Sequence, residues 1–196
     1  SEPGTCKDRD ILRYNPHALI EGMLITSYAI GAEVSYCYLR GEFIDDVYST
    51  FKTALNDAYD NKLIGKNILN SSINIELHDL IGAGAYIVGE ETAMLESIEG
   101  KKGFPRFKPP FPAVKGLFGR PTIINNVETL ASIPKIIENG PEWFNSVGTK
   151  DSPGFKCFSV SGHVNKPGNY EIPLGTPFKK LLELAGGMKN GKKIKA

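Results

Sequence analysis

The chain is short of the residues on which many functions are built. Cysteine occurs three times in 196 residues, at Cys6, Cys37 and Cys157. No two stand at CxxC spacing, which excludes a disulfide framework and leaves reduced thiols in a cytosol-like compartment as the expectation. His17, His78 and His163 are too dispersed to suggest a metal site. There is no HExxH, no P-loop and no Ser-His-Asp order. Excess charge of one sign is lacking too. With 23 Lys and Arg against 22 Asp and Glu, nothing draws the whole chain to nucleic acid or an anionic membrane surface. Apolar runs stop well short of the roughly 20 residues of a membrane span, and no secretory signal opens the chain.

What remains is an ordinary globular composition, 41% hydrophobic and 23% charged. It suits one large domain or two small ones, burying roughly 70% of the unfolded surface. Ser1 is not a start methionine, and Lys192-Lys193-Ile194-Lys195-Ala196 breaks off where a strand begins. A central fragment of a longer protein is expected.

Periodicity organises the first 150 residues. Asn15-Pro16 makes a cap and first-turn pair; Leu19, Ile20, Met23, Leu24, Ser27 and Ile30 then keep helical spacing until Gly31. Val34 to Leu39 reads as a buried strand, Val47 to Tyr59 as a helix, and Ile73 to Leu77 as a second strand. A helix opening at Glu90 and running through Ile98 follows. This alternation predicts an α/β layered domain with a largely parallel sheet. Helical spacing returns at Asn126 to Glu138, where Pro134 is expected to kink the helix or delay its start. A composition break at Thr149-Lys150-Asp151-Ser152-Pro153-Gly154 divides residues 1–150 from residues 151–196. Beyond it, strands near Lys156–Ser161 and Tyr170–Ile172 and a helix over Pro177–Ala185 suggest the start of a small α+β domain.

Three stretches carry the chemistry. In Gly89-Glu90-Glu91-Thr92-Ala93 two adjacent carboxylates stand at a helix start, where the dipole favours anions by about 0.3–1 kcal/mol. Acids there can serve simply as helix starters. Adjacent acids seldom serve packing, though, because they are costly to desolvate and repel one another. Residues 101–121 hold five prolines, four phenylalanines and six Lys or Arg with no acid. Within them Lys108 and Phe111 offer a cation and a stacking face on stiff backbone. A surface linker and a single-stranded nucleic-acid site are the rival readings of that segment. Asn125 and Asn126 precede a helix, as caps or as amides that read a ring edge or phosphate. Gly82-x-Gly84 lacks the third glycine of a dinucleotide fingerprint.

Taken together, these stretches resemble the NADH-oxidising flavoprotein subunit of respiratory complex I and the related diaphorase subunits of NAD-reducing hydrogenases and formate dehydrogenases. The similarity runs through Glu2-Pro3-Gly4-Thr5-Cys6-Lys7-Asp8-Arg9, Arg40-Gly41-Glu42-Phe43, residues 82–100, 105–121 and 125–129, and Ser161 to Gly168. It implies a Rossmann-like FMN/NADH-binding domain over residues 1–150, with its N-terminal part missing, followed by part of a β-grasp, ubiquitin-like domain. Carried over by position, Gly89, Glu90 and Glu91 line the flavin pocket, and Glu91 also faces the NADH ribose or nicotinamide. Lys108 and Phe111 hold the dinucleotide, while Ile124, Asn125, Asn126 and Thr129 stand at the flavin phosphate or ribityl chain. Glu2 belongs to the motif that approaches the nicotinamide.

The implied reaction is hydride transfer from NADH to FMN, then single-electron transfer to a [4Fe–4S] cluster and on to quinone. It needs no proton-shuttling dyad, since the cofactors carry the chemistry and the protein stacks them. Carboxylate hydrogen bonds to ribose hydroxyls, worth about 1.5–3 kcal/mol each, would favour NADH over NADPH. The family's upstream glycine-rich loop and downstream cluster cysteines are absent, so half a cofactor site and no cluster are expected here. Implied partners are subunits of a multi-subunit electron-transfer complex, foremost a two-iron ferredoxin-like one. The implied place is the cytoplasmic or matrix side, peripheral to the membrane. A truncated or diverged paralogue serving only protein contacts is the alternative.

Overall fold

The computed structural model describes residues 4–194, so the expectation for Glu2 lies outside the described residues. Two compact units divide them: residues 9–133, and residues 134–194 together with residues 4–8. That division falls ahead of the composition break at residues 149–154, within a continuous helix.

The chain enters through α1 (Lys7–Tyr14) and α2 (Pro16–Ile30). The α1 helix lies in a stretch for which the sequence suggested no helix. Asn15 accepts a hydrogen bond from the Ala18 N–H and Pro16 occupies the first turn. Gly31, at φ +71°, ends α2 in the left-handed region where glycine is favoured. Strand β1 (Val34–Leu39), helix α3 (Tyr48–Asp60) and strand β2 (Glu76–Ile81) follow, with β1 and β2 paired in parallel from Val34 opposite Glu76 to Leu39 opposite Ile81. Leu12, Leu19, Phe51, Leu55, Ile64 and Leu77 are almost wholly buried at the centre of this unit. Burying each such side chain is worth about 1.5–3 kcal/mol.

The second strand sits later than the expected Ile73–Leu77. The Ile73 carbonyl accepts from the Ile68 N–H, and Ile75 forms an antiparallel bridge with Gly65, so this stretch is used in a local turn. The ladder with β1 therefore takes in His78 and Asp79. Asp79 is tolerated there because Tyr48 (2.6 Å) and Lys52 (2.7 Å) of α3 both donate to it.

Helix α4 (Glu91–Ile98) packs on the short turn that precedes it, and residues 100–126 are irregular apart from a turn at Leu117–Gly119. Helix α5 (Val127–Asn139) runs through Pro134 without a delayed start. Proline has no N–H for the carbonyl one turn back, and here that carbonyl, of Leu130, is turned towards α2. A Cβ on Gly22 would lie 1.9 Å from the Leu130 oxygen. Glycine is required there by close approach rather than by backbone angle.

In the other unit, α6 (Pro141–Asn145) is followed by the antiparallel pair β3 (Gly148–Thr149) and β4 (Ser152–Pro153). The antiparallel pair β5 (Phe155–Val160) and β6 (Gly168–Pro173) comes next, then α7 (Phe178–Leu184). Trp143 stacks at a tilt on Phe155 with ring centroids 6.3 Å apart. Val164, Ile172, Leu181 and Ala185 are buried. Among the described residues no helix is long and apolar enough to cross a membrane.

Candidate functional site

The carboxyl ends of parallel strands are where α/β sheets gather ligands, and here they converge tightly. Arg40-Gly41-Glu42 leaves β1 and Gly82-Ala83-Gly84 leaves β2. A Cβ on Gly41 would stand 2.4 Å from the Gly82 oxygen. The Arg40 guanidinium lies 2.8 Å from Glu42 and holds that carboxyl down at about 2. Tyr38 on β1 reaches the Ser97 hydroxyl at 2.9 Å and so ties the sheet to α4.

The adjacent carboxylates have different fates. Glu90 has extended backbone and caps α4. Its Oε2 accepts the Thr92 and Ala93 N–H groups at 2.9 Å each, and the Thr92 hydroxyl as well. Burial pushes its carboxyl up, yet these donors and Lys108 outweigh that and leave it below the ordinary value. Glu91, one residue on, is 40% exposed and takes no part in the cap. Lys108 Nζ bridges the two, donating to Glu91 Oε1 and, at 3.3 Å, to Glu90 Oε1. Its own value is raised, chiefly by the hydrogen bond to Glu91. Gly89 closes the preceding turn, and nothing lies within 4 Å of where its Cβ would be. Phe111 follows in the same loop with its ring 58% exposed.

A second group stands elsewhere on the same unit. Ile124 and Asn125 line a cavity of about 610 Å³, walled by α2, by β1 from Val34 to Tyr38, and by Met94, Leu95 and Ile98 of α4. Glu90, Glu91, Lys108 and Phe111 are not part of its wall. Asn126 caps the next helix, its Oδ1 accepting from the Glu128 N–H at 3.0 Å, and Thr129 is exposed. The structure thus joins Glu90, Glu91 and Lys108 at the start of α4 and sets Ile124 and Asn125 against the side of that helix. It does not bring the two groups into one pocket.

Two residues escaped the sequence reading. Thr92, 1% exposed, both donates to Glu90 and accepts the Arg106 N–H at 2.8 Å. Arg106 looked like one cation of a basic run, but its guanidinium reaches Glu96, Glu99 (2.7 Å) and the Gly116 carbonyl (2.9 Å). Glu96 and, three residues on at the helix C-cap, Glu99 were the available signal. No group of three or more His, Cys, Asp or Glu among the described residues is placed to hold a metal ion. Burial, and beside it Asp79, pushes the Cys37 thiol up to about 12.

Residues 1–135 match the Nuo51 FMN-binding domain and residues 157–194 match the SLBB domain. The F subunit of NADH-quinone oxidoreductase from Rickettsia bellii (strain OSU 85-389) is 57% identical over 97% of this chain, which spans 46% of that relative. Its counterpart in Rickettsia typhi is 56% identical over 97% of this chain and 45% of its own length. The chain therefore spans less than half the length of these curated relatives. The crystal structure of NAD+-reducing [NiFe]-hydrogenase in the air-oxidized state superposes with a TM-score of 0.79 at 38% identity, covering 95% of this chain and 31% of that one. The H2-reduced state of that enzyme gives 0.81 at the same identity, covering 96% and 31%. On the match over residues 1–135, the chain belongs to the Nuo51 FMN-binding domain family.

Proposed function

We propose that this chain forms part of an NADH-oxidising flavoprotein subunit, an NADH:quinone oxidoreductase that passes hydride from NADH to FMN. In this reading residues 1–150 contribute to a Rossmann-like FMN/NADH domain and residues 151–196 to a β-grasp domain. Partner subunits, among them a two-iron ferredoxin-like one, carry electrons on towards quinone at the membrane periphery. In this reading the [4Fe–4S] cluster is a feature of the full-length family members.

The observation that carries the reading is the Glu90–Lys108–Glu91 bridge at the start of α4, with the exposed Phe111 three residues after Lys108. This donor set suits a dinucleotide and a flavin. Phe111 gives a stacking face, Lys108 a cation for phosphate or ribose oxygens, and open Gly89 a close backbone approach. FMN, when bound, supplies the hydride acceptor. Glu91, unlike Glu90, keeps its carboxylate free of the helix cap and is the acid able to accept ribose hydroxyls. Its charge disfavours a 2′-phosphate, so NADH is selected over NADPH. Asn125 at the cavity wall, beside Ile124, offers an amide to the flavin's polar chain, with Asn126 and Thr129 following in sequence.

The test is made in the purified full-length protein with its partners. NADH added without an electron acceptor bleaches the flavin absorbance, and Glu91→Gln weakens the preference for NADH over NADPH by about tenfold or more, the loss of one charged hydrogen bond. No flavin in the preparation, or an unchanged preference, defeats the reading.

A further inference from the structure

The segment that carries Lys108 is laid back along α4 and pinned at one point. Arg106 reaches Glu96 and Glu99 near the end of the helix, and Lys108, two residues on, reaches Glu90 and Glu91 at its start. Between them Phe107 is 96% exposed, as expected where alternate side chains of an extended stretch point in opposite directions. The pin is multiple. The guanidinium also donates to the Gly116 carbonyl, 2.9 Å away, and the Arg106 N–H donates to the buried Thr92 hydroxyl. Glu99 Oε1 accepts in addition from the Phe118 N–H at 2.8 Å. Helix, descending segment and the turn at Leu117–Gly119 are thereby locked to one planar fork.

The members are mostly shielded, with 24%, 19% and 9% of the side chains of Arg106, Glu96 and Glu99 exposed. Salt screens such pairs far less than surface ones. A lysine at 106 would keep the charge but not the fork. The head of Lys108 is held by Glu90, the cap, and by Glu91, the acid a ligand would engage, so the fork two residues earlier is what fixes where its stem begins.

We propose that Arg106 is the positioning residue of the dinucleotide site, holding the segment of Lys108 against α4 so that NADH meets a preset cation. This rests on the NADH reading given above. Arg106 touches neither cofactor; it acts through the segment that follows it.

The experiment is a double-mutant cycle in the full-length protein purified with its partners, reading NADH KM, kcat with an artificial acceptor, and flavin content. Arg106→Gln is expected to raise KM about tenfold, the usual cost of losing a supporting-shell contact, while lowering kcat less and leaving the flavin bound. Arg106→Lys falls between the two. In a Lys108→Met background the further effect of Arg106→Gln on KM largely disappears, because both act through one group. An unchanged KM with only a lower melting temperature overturns the proposal, as does an undiminished effect in the Lys108→Met background. Should Arg106→Gln fail to assemble, Glu96→Gln, which removes one charge from the fork, must show the same shift towards higher KM; a parent-like KM overturns the proposal equally. Lys108→Met with parent-like NADH kinetics overturns the dinucleotide reading itself, and the role of Arg106 with it.

Discussion

The unit over residues 9–133 holds two regions built by different forces. The α2–β1–α3–β2 region is organised by burial: Leu19, Phe51, Leu55 and Leu77 exclude water and their hydrophobic spacing sets the element order. The region of α4 and residues 100–121 has little periodic apolar sequence, and a polar frame organises it. Glu90 caps the helix, Thr92 links cap to loop, and Arg106 joins Glu96, Glu99 and Gly116. Burial yields a scaffold tolerant of detail. The polar frame gives positions set by angle and distance, which is what a binding site requires.

The contrast can be broken most forcefully in the scaffold. Phe51→Ala, at a side chain with no exposed surface, is expected to cost about 3–5 kcal/mol, and urea denaturation should show loss of the whole unit. A cost near 1 kcal/mol would mean that burial does not dominate there. Gly22→Ala comes next, at about 1–3 kcal/mol or somewhat above, because backbone on α5 blocks the new methyl. Ala at the exposed Gly89, which has no neighbour within 4 Å, serves as the calorimetric control.

The polar frame should respond more gently and locally. Thr92→Val removes the hydroxyl shared by Glu90 and the Arg106 N–H, at a cost of about 1–3 kcal/mol for the unsatisfied buried groups. Hydrogen exchange should quicken at the start of α4 while β1 and β2 stay protected. Uniform loss of protection would erase the distinction between the regions. The smallest effect is electrostatic. Burial pushes Glu99 up, but hydrogen bonds from Lys101, Arg106 and the Phe118 N–H prevail and bring it from 4.5 to about 2. Its folded value lies below its unfolded one, so its contribution is complete above pH 4.5 and is lost as pH falls towards 2. Glu99→Gln should flatten the dependence of melting temperature on pH across that window, and an unaltered slope would count against the frame.

Legibility followed the same line. Helix α2 could be read closely because Asn15-Pro16 and Gly31 are local signals, acting within one turn of the residues they affect. Strand β1 spans Val34–Leu39 as its apolar run predicts, but of its side chains only Cys37 and Leu39 are buried, not the whole strand. Strand β2 ran later than its apolar residues suggested, since pairing with β1 is a backbone matter and α3 neutralises Asp79. In the site, the pairing of acids at a helix start was visible in Glu90 and Glu91. Their division of labour was not, for it depends on which carboxylate turns back to the helix N–H groups.

The sequence alone determined the alternation of helices and strands, the irregular basic and aromatic segment, and the presence and order of the carboxylates, lysine, phenylalanine and amides. These are properties of composition and short-range spacing. Only the tertiary structure decided that Lys108 spans both acids, that Arg106 pins its segment to the far turns of α4, and that the Leu130 carbonyl, denied a helical N–H by Pro134, turns towards Gly22. Each joins residues distant along the chain through directional contacts, and direction enters only once the backbone has been placed.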